Sequence, residues 1–159
     1  MQFPALKVRD LEGVDHVIPD GLPGGPHIVV VAFQRWHQAL VDAWKTELVP
    51  IAERYPGTEI WEVPSISQGY RLFRSGIDGG MRAAIPDVDT RRHTLTAYTD
   101  LRAMARDLDI DSFETIQVFL VECGGAILWR SSGEPTQVAL AQLDAALTGE
   151  RLSRAPFRS

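Results

Sequence analysis

The run HIVVVAF at residues 27–33, followed after Gln34 by RWHQALVDAWKTELVPIAERYPG at residues 35–57, decides how this chain folds. The first stretch is β-branched and almost wholly apolar, the composition of a strand covered on both faces of a sheet. The second changes period: Trp36, Leu40, Trp44, Leu48 and Ile51 recur three and four residues apart, so one face of a long helix packs on that strand. Pro50 falls inside this helix and removes the bond to the Thr46 carbonyl, which predicts a kink. Tyr55, Pro56 and Gly57 mark its end, and TEIWEVP at residues 58–64 reads as a second strand. A strand, a helix and a strand in that order form a right-handed crossover with the two strands parallel.

Working outward, residues 6–25 alternate apolar and polar around Gly13 and end in the breaker-rich DGLPGGP, which predicts a short hairpin and a loop. Residues 65–87 carry Gly69, Gly76, Gly79 and Gly80 among Tyr70, Phe73, Ile77 and Met81, and read as a helix, a loop and a second helical turn. HTLTAYT at residues 93–99 alternates as a strand. Leu101, Met104, Ala105 and Leu108 then share one face of a short helix capped by Asp100. TIQVFLVE, the turn Cys123, Gly124 and Gly125, and AILWR make a β-hairpin whose glycines permit a tight reversal. Pro135 suits the first turn of a last helix, with Leu140, Leu143, Ala146 and Leu147 as its buried stripe. Residues 148–159 read as a frayed basic tail. No repeat or linker divides the chain, so a single domain over residues 1–159 is expected.

Composition narrows the function classes. The 159 residues, 45% apolar and 23% charged, suffice to bury a core without staples. A lone cysteine excludes an intramolecular disulfide, a zinc ribbon and a dithiol centre. The net charge of −5 argues against nucleic acid as a partner. The longest apolar run, residues 28–33, is far short of a membrane span, so the protein is not expected to be membrane-integral. The opening MQFPALKVRD has neither a signal peptide's apolar region nor a transit composition, and a cytoplasmic location is expected.

This order of elements resembles the thioredoxin-like superfamily in its peroxiredoxin and TlpA-like form. KVRDLEGVDHVIPDGLPGGPHIVVVAF is similar to the lead-in hairpin and first core strand of those proteins, and TIQVFLVECGGAILWRSSG to their closing hairpin. The resemblance implies an α/β thioredoxin-like fold, a central mixed β-sheet flanked by helices with an N-terminal β-hairpin. Within that superfamily, IPDVDTRRHTLTAYTDLRAM and FRSGIDGGMRAAI resemble the ATP synthase assembly-factor family, which implies a binding or chaperone-like role.

In a thioredoxin-fold enzyme the dithiol follows the first core strand. Here that corner reads Arg35, Trp36, His37, Gln38, Ala39 and Leu40, with no cysteine, and Glu114 and Thr115 stand where the family's cis-proline and threonine would be. A helix amino terminus lowers a thiol's pKa, but without sulfur that effect has nothing to act on. No catalytic residue is therefore assigned, and neither a cofactor nor a metal is expected. His16, His27 and His93 lie on different elements without a ligand spacing.

Binding candidates remain. Arg35 and His37 could hold an anion at the helix start, or His37 could be a partly exposed helix-start residue, and Trp36 could cover the strand end or contact the ligand. Tyr70, Arg71, Arg74, Asp78 and Arg82 could form a positive patch if the arginines share a face, or a solvated helix surface whose stems cover Phe73. Cys123, beside the hairpin turn, is either incidental or a redox-sensitive thiol. The leading expectation is a redox-inactive protein acting by binding, a chaperone or assembly factor with a protein partner such as a membrane-complex subunit, or an anionic ligand. The alternative is a divergent thiol peroxidase or reductase using Cys123 or a partner's thiol. An oligomerising structural protein, suggested by four tryptophans and an open sheet edge, is a third.

Overall fold

A computed structural model describes residues 1–154. Strand β1 (Leu6–Asp10) and β2 (Asp15–Ile18) form the expected hairpin, and β3 (His27–Ala32) is the buried central strand. Helix α1 (Gln38–Glu53) leads to β4 (Ile60–Ser67), α2 (Arg74–Ala84), α3 (Val88–Arg92) and β5 (Leu95–Thr99). Helix α4 (Leu101–Leu108), β6 (Gln117–Val121), β7 (Ile127–Ser132) and α5 (Gln137–Arg154) complete the order. The strands make one sheet in the order β2-β1-β5-β4-β3-β6-β7. Strand β3 runs parallel to β4, as the crossover requires, and β4 parallel to β5, while β6 is antiparallel to β3.

Each face of the sheet carries its own core. Val29, Val31, Val63, Leu95 and Ala97 point to one side and meet Met104 and Leu108 of α4. Ile28, Val30, Val118 and Leu120 point to the other and meet Val41, Trp44 and Leu48 of α1 and Leu140, Leu143 and Leu147 of α5. Period-2 alternation on strands buried on both faces explains why the sequence shows unbroken apolar runs. Trp44, fully buried, also donates its indole N–H to the Gly133 carbonyl at 2.7 Å. The Asp100 carboxylate caps α4 by accepting from the N–H groups of Arg102 and Ala103.

Several expectations change. Strand β4 continues to Ser67, three residues beyond the expected end at Pro64, because its last residues pair with Ala97, Tyr98 and Thr99 of β5. The glycines of residues 65–87 do not break a helix. A 3-10 turn (Gln68–Phe73) runs into α2, which passes through Gly76, Gly79 and Gly80. Trp36 does not belong to the packing face of α1. It lies in a 3-10 turn (Arg35–His37) before the helix and is 58% exposed. Residues expected to fray from Thr148 are helical through Arg154, and 155–159 lie outside the described residues.

Candidate functional site at the carboxyl edge of the parallel strands

Strands β3, β4 and β5 run the same way, so their carboxyl ends reach one edge of the sheet, where open α/β sheets place their ligand crevices. Each strand leaves that edge through a different segment: β3 through the Arg35–His37 turn, β4 through the Gln68–Phe73 turn, and β5 into α4. The sequence-predicted residues 35–37 and 70–74 therefore lie along the same edge of the sheet, although they are far apart in the chain and line different cavities.

His37 is fully buried, not the partly exposed residue expected from its place at a helix start. Its Nδ1 accepts the N–H groups of both Phe33 (3.1 Å) and Gln34 (3.2 Å). A nitrogen that accepts twice carries no hydrogen, so the ring proton sits on Nε2, which is buried without a hydrogen-bond partner. The ring of Trp36 stands edge to face against the imidazole at 4.3 Å. His37 thus holds the backbone turn at the end of β3. Arg35 is exposed beside it and makes no ion pair among the described residues.

Behind this turn a cleft of about 670 Å³ separates α1 from α2 above the sheet. Its floor is Val30, Ala32, Glu62, Pro64 and Ile66, its α1 wall Gln38 and Val41, and its α2 wall Gly76, Ile77, Gly80, Met81 and Ala84. Gln34 and Arg35 stand where the chain turns from β3 toward α1. Glu62 is buried, and Lys45 of α1 reaches it at 2.8 Å, so the floor carboxylate has its counter-ion. None of these α2 residues, nor Lys45 and Glu62, is among the binding candidates read from the sequence, where Gly76, Ile77, Gly80 and Met81 count only as marks of a broken helix. The spacing of Gly76 and Gly80, one helical turn apart, was the available signal.

On the other side of α2, Asp78 accepts from the Tyr98 hydroxyl (2.9 Å), from Thr96 Oγ1 (3.3 Å) and from Arg74 Nε (3.5 Å). Burial raises the Tyr98 pKa well above its ordinary value, and the bond to Asp78 raises it further, so the phenol stays a donor. The Arg74 guanidinium lies over the Tyr98 ring at 4.9 Å. Arg71 donates to the Tyr98 carbonyl at 3.4 Å. Arg71 and Arg74 join Lys7 and Arg9 around a groove of about 400 Å³ that also contains Asp15. Arg82 does not join them; it reaches Glu12 at 3.6 Å, a carboxylate already bound at 2.6 Å by Arg91. Nor do arginine stems cover Phe73. Phe73 is 65% exposed, and Tyr70 and Leu72 are exposed with it.

Cys123 is exposed at the far end of the sheet. In the β3–β6 register Val121 faces His27, at the beginning of β3, whereas the Arg35–His37 turn follows its other end, some 20 Å away at the rise of a strand.

No protein-family model and no curated protein matches the sequence. Solved structures do. ScoI of Arabidopsis thaliana, solved with copper bound, superposes with a TM-score of 0.61 over 96% of this chain and 99% of that one, at 10% identity. The exposed lipoprotein thioredoxin of Streptococcus pneumoniae strain TIGR4 gives 0.56 over 89% of this chain and 98% of that one, at 11% identity. The fold is thioredoxin-like. A third structure, BsSco, of the Sco family of cytochrome c oxidase assembly proteins, superposes at 0.60 over 92% of this chain and 94% of that one, at 10% identity. In thioredoxin-like terms, the Arg35–His37 turn is the corner that follows the first core strand, and the cleft opens beside it. No described helix is long and apolar enough to cross a membrane.

Proposed function

We propose that this thioredoxin-like protein acts by non-covalent binding of a partner protein at the carboxyl edge of its parallel strands, in an assembly or chaperone role, without thiol–disulfide exchange at that edge. The observation that carries this reading is the corner itself. Arg35, Trp36, His37 and Gln38 occupy it without sulfur, and His37 is committed to two backbone N–H groups.

The surroundings suit a protein. Tyr70, Leu72 and Phe73 are exposed within one short turn, with Leu72 95% exposed, and Trp36 is exposed on the turn that follows β3 along the same edge; exposed apolar side chains gathered in this way mark interaction surfaces. The basic groove lies next to them on an otherwise acidic molecule, so the complementary partner segment carries apolar and acidic side chains together. A subunit of a membrane complex is the partner we favour. The Sco family comprises cytochrome c oxidase assembly proteins, and assembly is also the role that the assembly-factor resemblance implies. Copper, which the Arabidopsis protein carries, does not fit here. His37 Nδ1 is engaged, its Nε2 is buried, and among the described residues no three His, Cys, Asp or Glu side chains gather to hold a metal ion.

The test is affinity capture of the tagged protein from its own host in mild detergent, beside the variants Leu72→Ser/Phe73→Ser and Arg71→Ala/Arg74→Ala. The expected result is a stoichiometric subunit retained by the wild type and lost by both variants. Retention by both variants would remove the surface from the proposal. Peroxide- or disulfide-dependent turnover that vanishes in Cys123→Ser would replace the binding role with the thiol enzyme.

A further inference from the structure

We infer that the cleft between α1 and α2 is a binding site for a small aliphatic carboxylic acid, an acyl chain of medium length with a free carboxylate. This inference stands apart from the partner surface, because it rests on the space beneath α2 and not on the exposed edge.

The volume of about 670 Å³ falls within the range of about 300–1,000 Å³ of small-molecule sites. The room is made by the sequence. A Cβ added at Gly76 or at Gly80 would meet nothing within 4 Å, so both glycines border open space. Helix α2 has no buried residue along its length, although Ile77 and Met81 line the cleft. An apolar occupant would remove these two side chains from water together with Ala32 and Ile66 opposite, which is the driving force for filling such a site. Apart from Phe33 the apolar lining is aliphatic, and Met81 adapts its shape readily.

The head group follows from charge. Glu62 is the only acid in the lining, and Lys45 already neutralises it at 2.8 Å, so the floor does not call for a cation. Gln34 and Gln38 each donate one amide N–H, to the Phe113 carbonyl (3.5 Å) and to Asp42 (2.9 Å), and neither carries a charge. Arg35 is different: it is exposed, it lines the cleft, and its guanidinium has no ion pair among the described residues. A carboxylate is the group that a planar guanidinium binds with two parallel bonds. A ligand with its chain along the floor and its carboxylate at Arg35 matches both features.

Titration calorimetry with sodium decanoate and with decylamine, each below its micelle concentration, tests the assignment. The wild type is expected to bind decanoate at least about tenfold more tightly than decylamine. Leucine at position 76 or 80 would project into the cleft and would also favour the helix, since glycine is among the poorest helix formers and leucine among the best. Gly80→Leu and Gly76→Leu should therefore melt no lower than the wild type while binding decanoate at least about tenfold more weakly. Arg35→Gln should keep the gain in affinity from octanoate to decanoate but lose the preference for the carboxylate. No decanoate binding at about 1 mM, equal binding of decylamine, or undiminished binding in both folded leucine variants would overturn the inference.

Discussion

Replacing Lys45 with methionine should cost about 2–4 kcal/mol of stability, whereas Glu62→Leu should cost no more than about 1 kcal/mol, although both remove the same ion pair. The ammonium lies 2.8 Å from Glu62 Oε1, and at an effective dielectric of about 20 that separation corresponds to a gross attraction of about 6 kcal/mol. Desolvation of the two ions opposes it, at several kcal/mol for an ion fully removed from water. The ions are not equally removed. The Glu62 side chain is 9% exposed and that of Lys45 is 30% exposed. Taking away the ammonium leaves a carboxylate in the floor of the cleft without its cation. That costs about 3–5 kcal/mol in a closed core and less here, because the cleft admits water. Taking away the carboxylate leaves an ammonium on a flexible stem that swings to solvent. The double variant should return to within about 1 kcal/mol of the wild type, giving a coupling of about 1–5 kcal/mol. Urea denaturation at neutral pH, with unchanged m-values, measures all four corners of the cycle. Equal losses in the two single variants, or a loss below about 0.5 kcal/mol in Lys45→Met, would refute the argument from unequal burial.

Three further outcomes follow from the same structure. His37→Ala leaves the Phe33 and Gln34 N–H groups without their acceptor, and a loss of about 1–3 kcal/mol is expected by thermal denaturation; a melting temperature within about 1 °C of the wild type would contradict the turn-holding role. Burial lowers the His27 pKa, against the opposing hydrogen bond from Nε2–H to the Pro23 carbonyl (2.8 Å), so the folded state favours the neutral ring. The unfolded state then takes up the proton more readily, and stability is full above about pH 6.5 and declines as the pH falls below it. His27→Gln should flatten the decline between about pH 7 and pH 5 in urea titrations, and an unchanged slope would show that His27 does not cause it. At the hairpin turn, Gly125 has φ +94 and an added Cβ would lie 2.7 Å from Gln2 Oε1, whereas one at Gly124 comes no nearer than 3.8 Å to its neighbours. Gly125→Ala should cost about 1–3 kcal/mol and Gly124→Ala less than about 0.5 kcal/mol, and comparable losses would contradict the backbone argument.

The parts of the fold that were legible in the sequence are those whose signal is local. The β3–α1–β4 crossover could be read because apolar period changes from unbroken to helical and back, and the β6–β7 hairpin because its turn sits between two strand patterns. Residues 65–87 were misread because propensity and tertiary context disagree. Three glycines in eleven residues disfavour a helix by about 1 kcal/mol each relative to alanine, yet α2 forms. Asp78 supplies an opposing contribution from outside the segment, through its bonds to Tyr98 and Thr96 on β5, and no window of local sequence contains that information. The exposure of His37 was misjudged for a similar reason. A histidine at a helix start is commonly solvated, but here the preceding turn aims two N–H groups at its Nδ1.

The arrangement at the carboxyl edge also bears on why an emptied corner need not mean an idle one. In a thioredoxin-like fold the crevice is produced by where β3, β4 and β5 end and by which way the following segments turn, and none of this depends on sulfur. A thiol at such a corner requires an electropositive, accessible helix start to stabilise a thiolate. His37 meets neither requirement: it is buried, and it presents an acceptor to the backbone rather than a group to solvent. What remains accessible is Arg35 on the cleft side and Trp36 on the outer side of the same turn. One short segment thus separates two surfaces, an apolar cavity beneath α2 and an apolar and basic edge outside it. A substitution at His37 that loosens the turn should weaken binding at both, whereas Gly80→Leu should affect only the cavity and Leu72→Ser/Phe73→Ser only the edge.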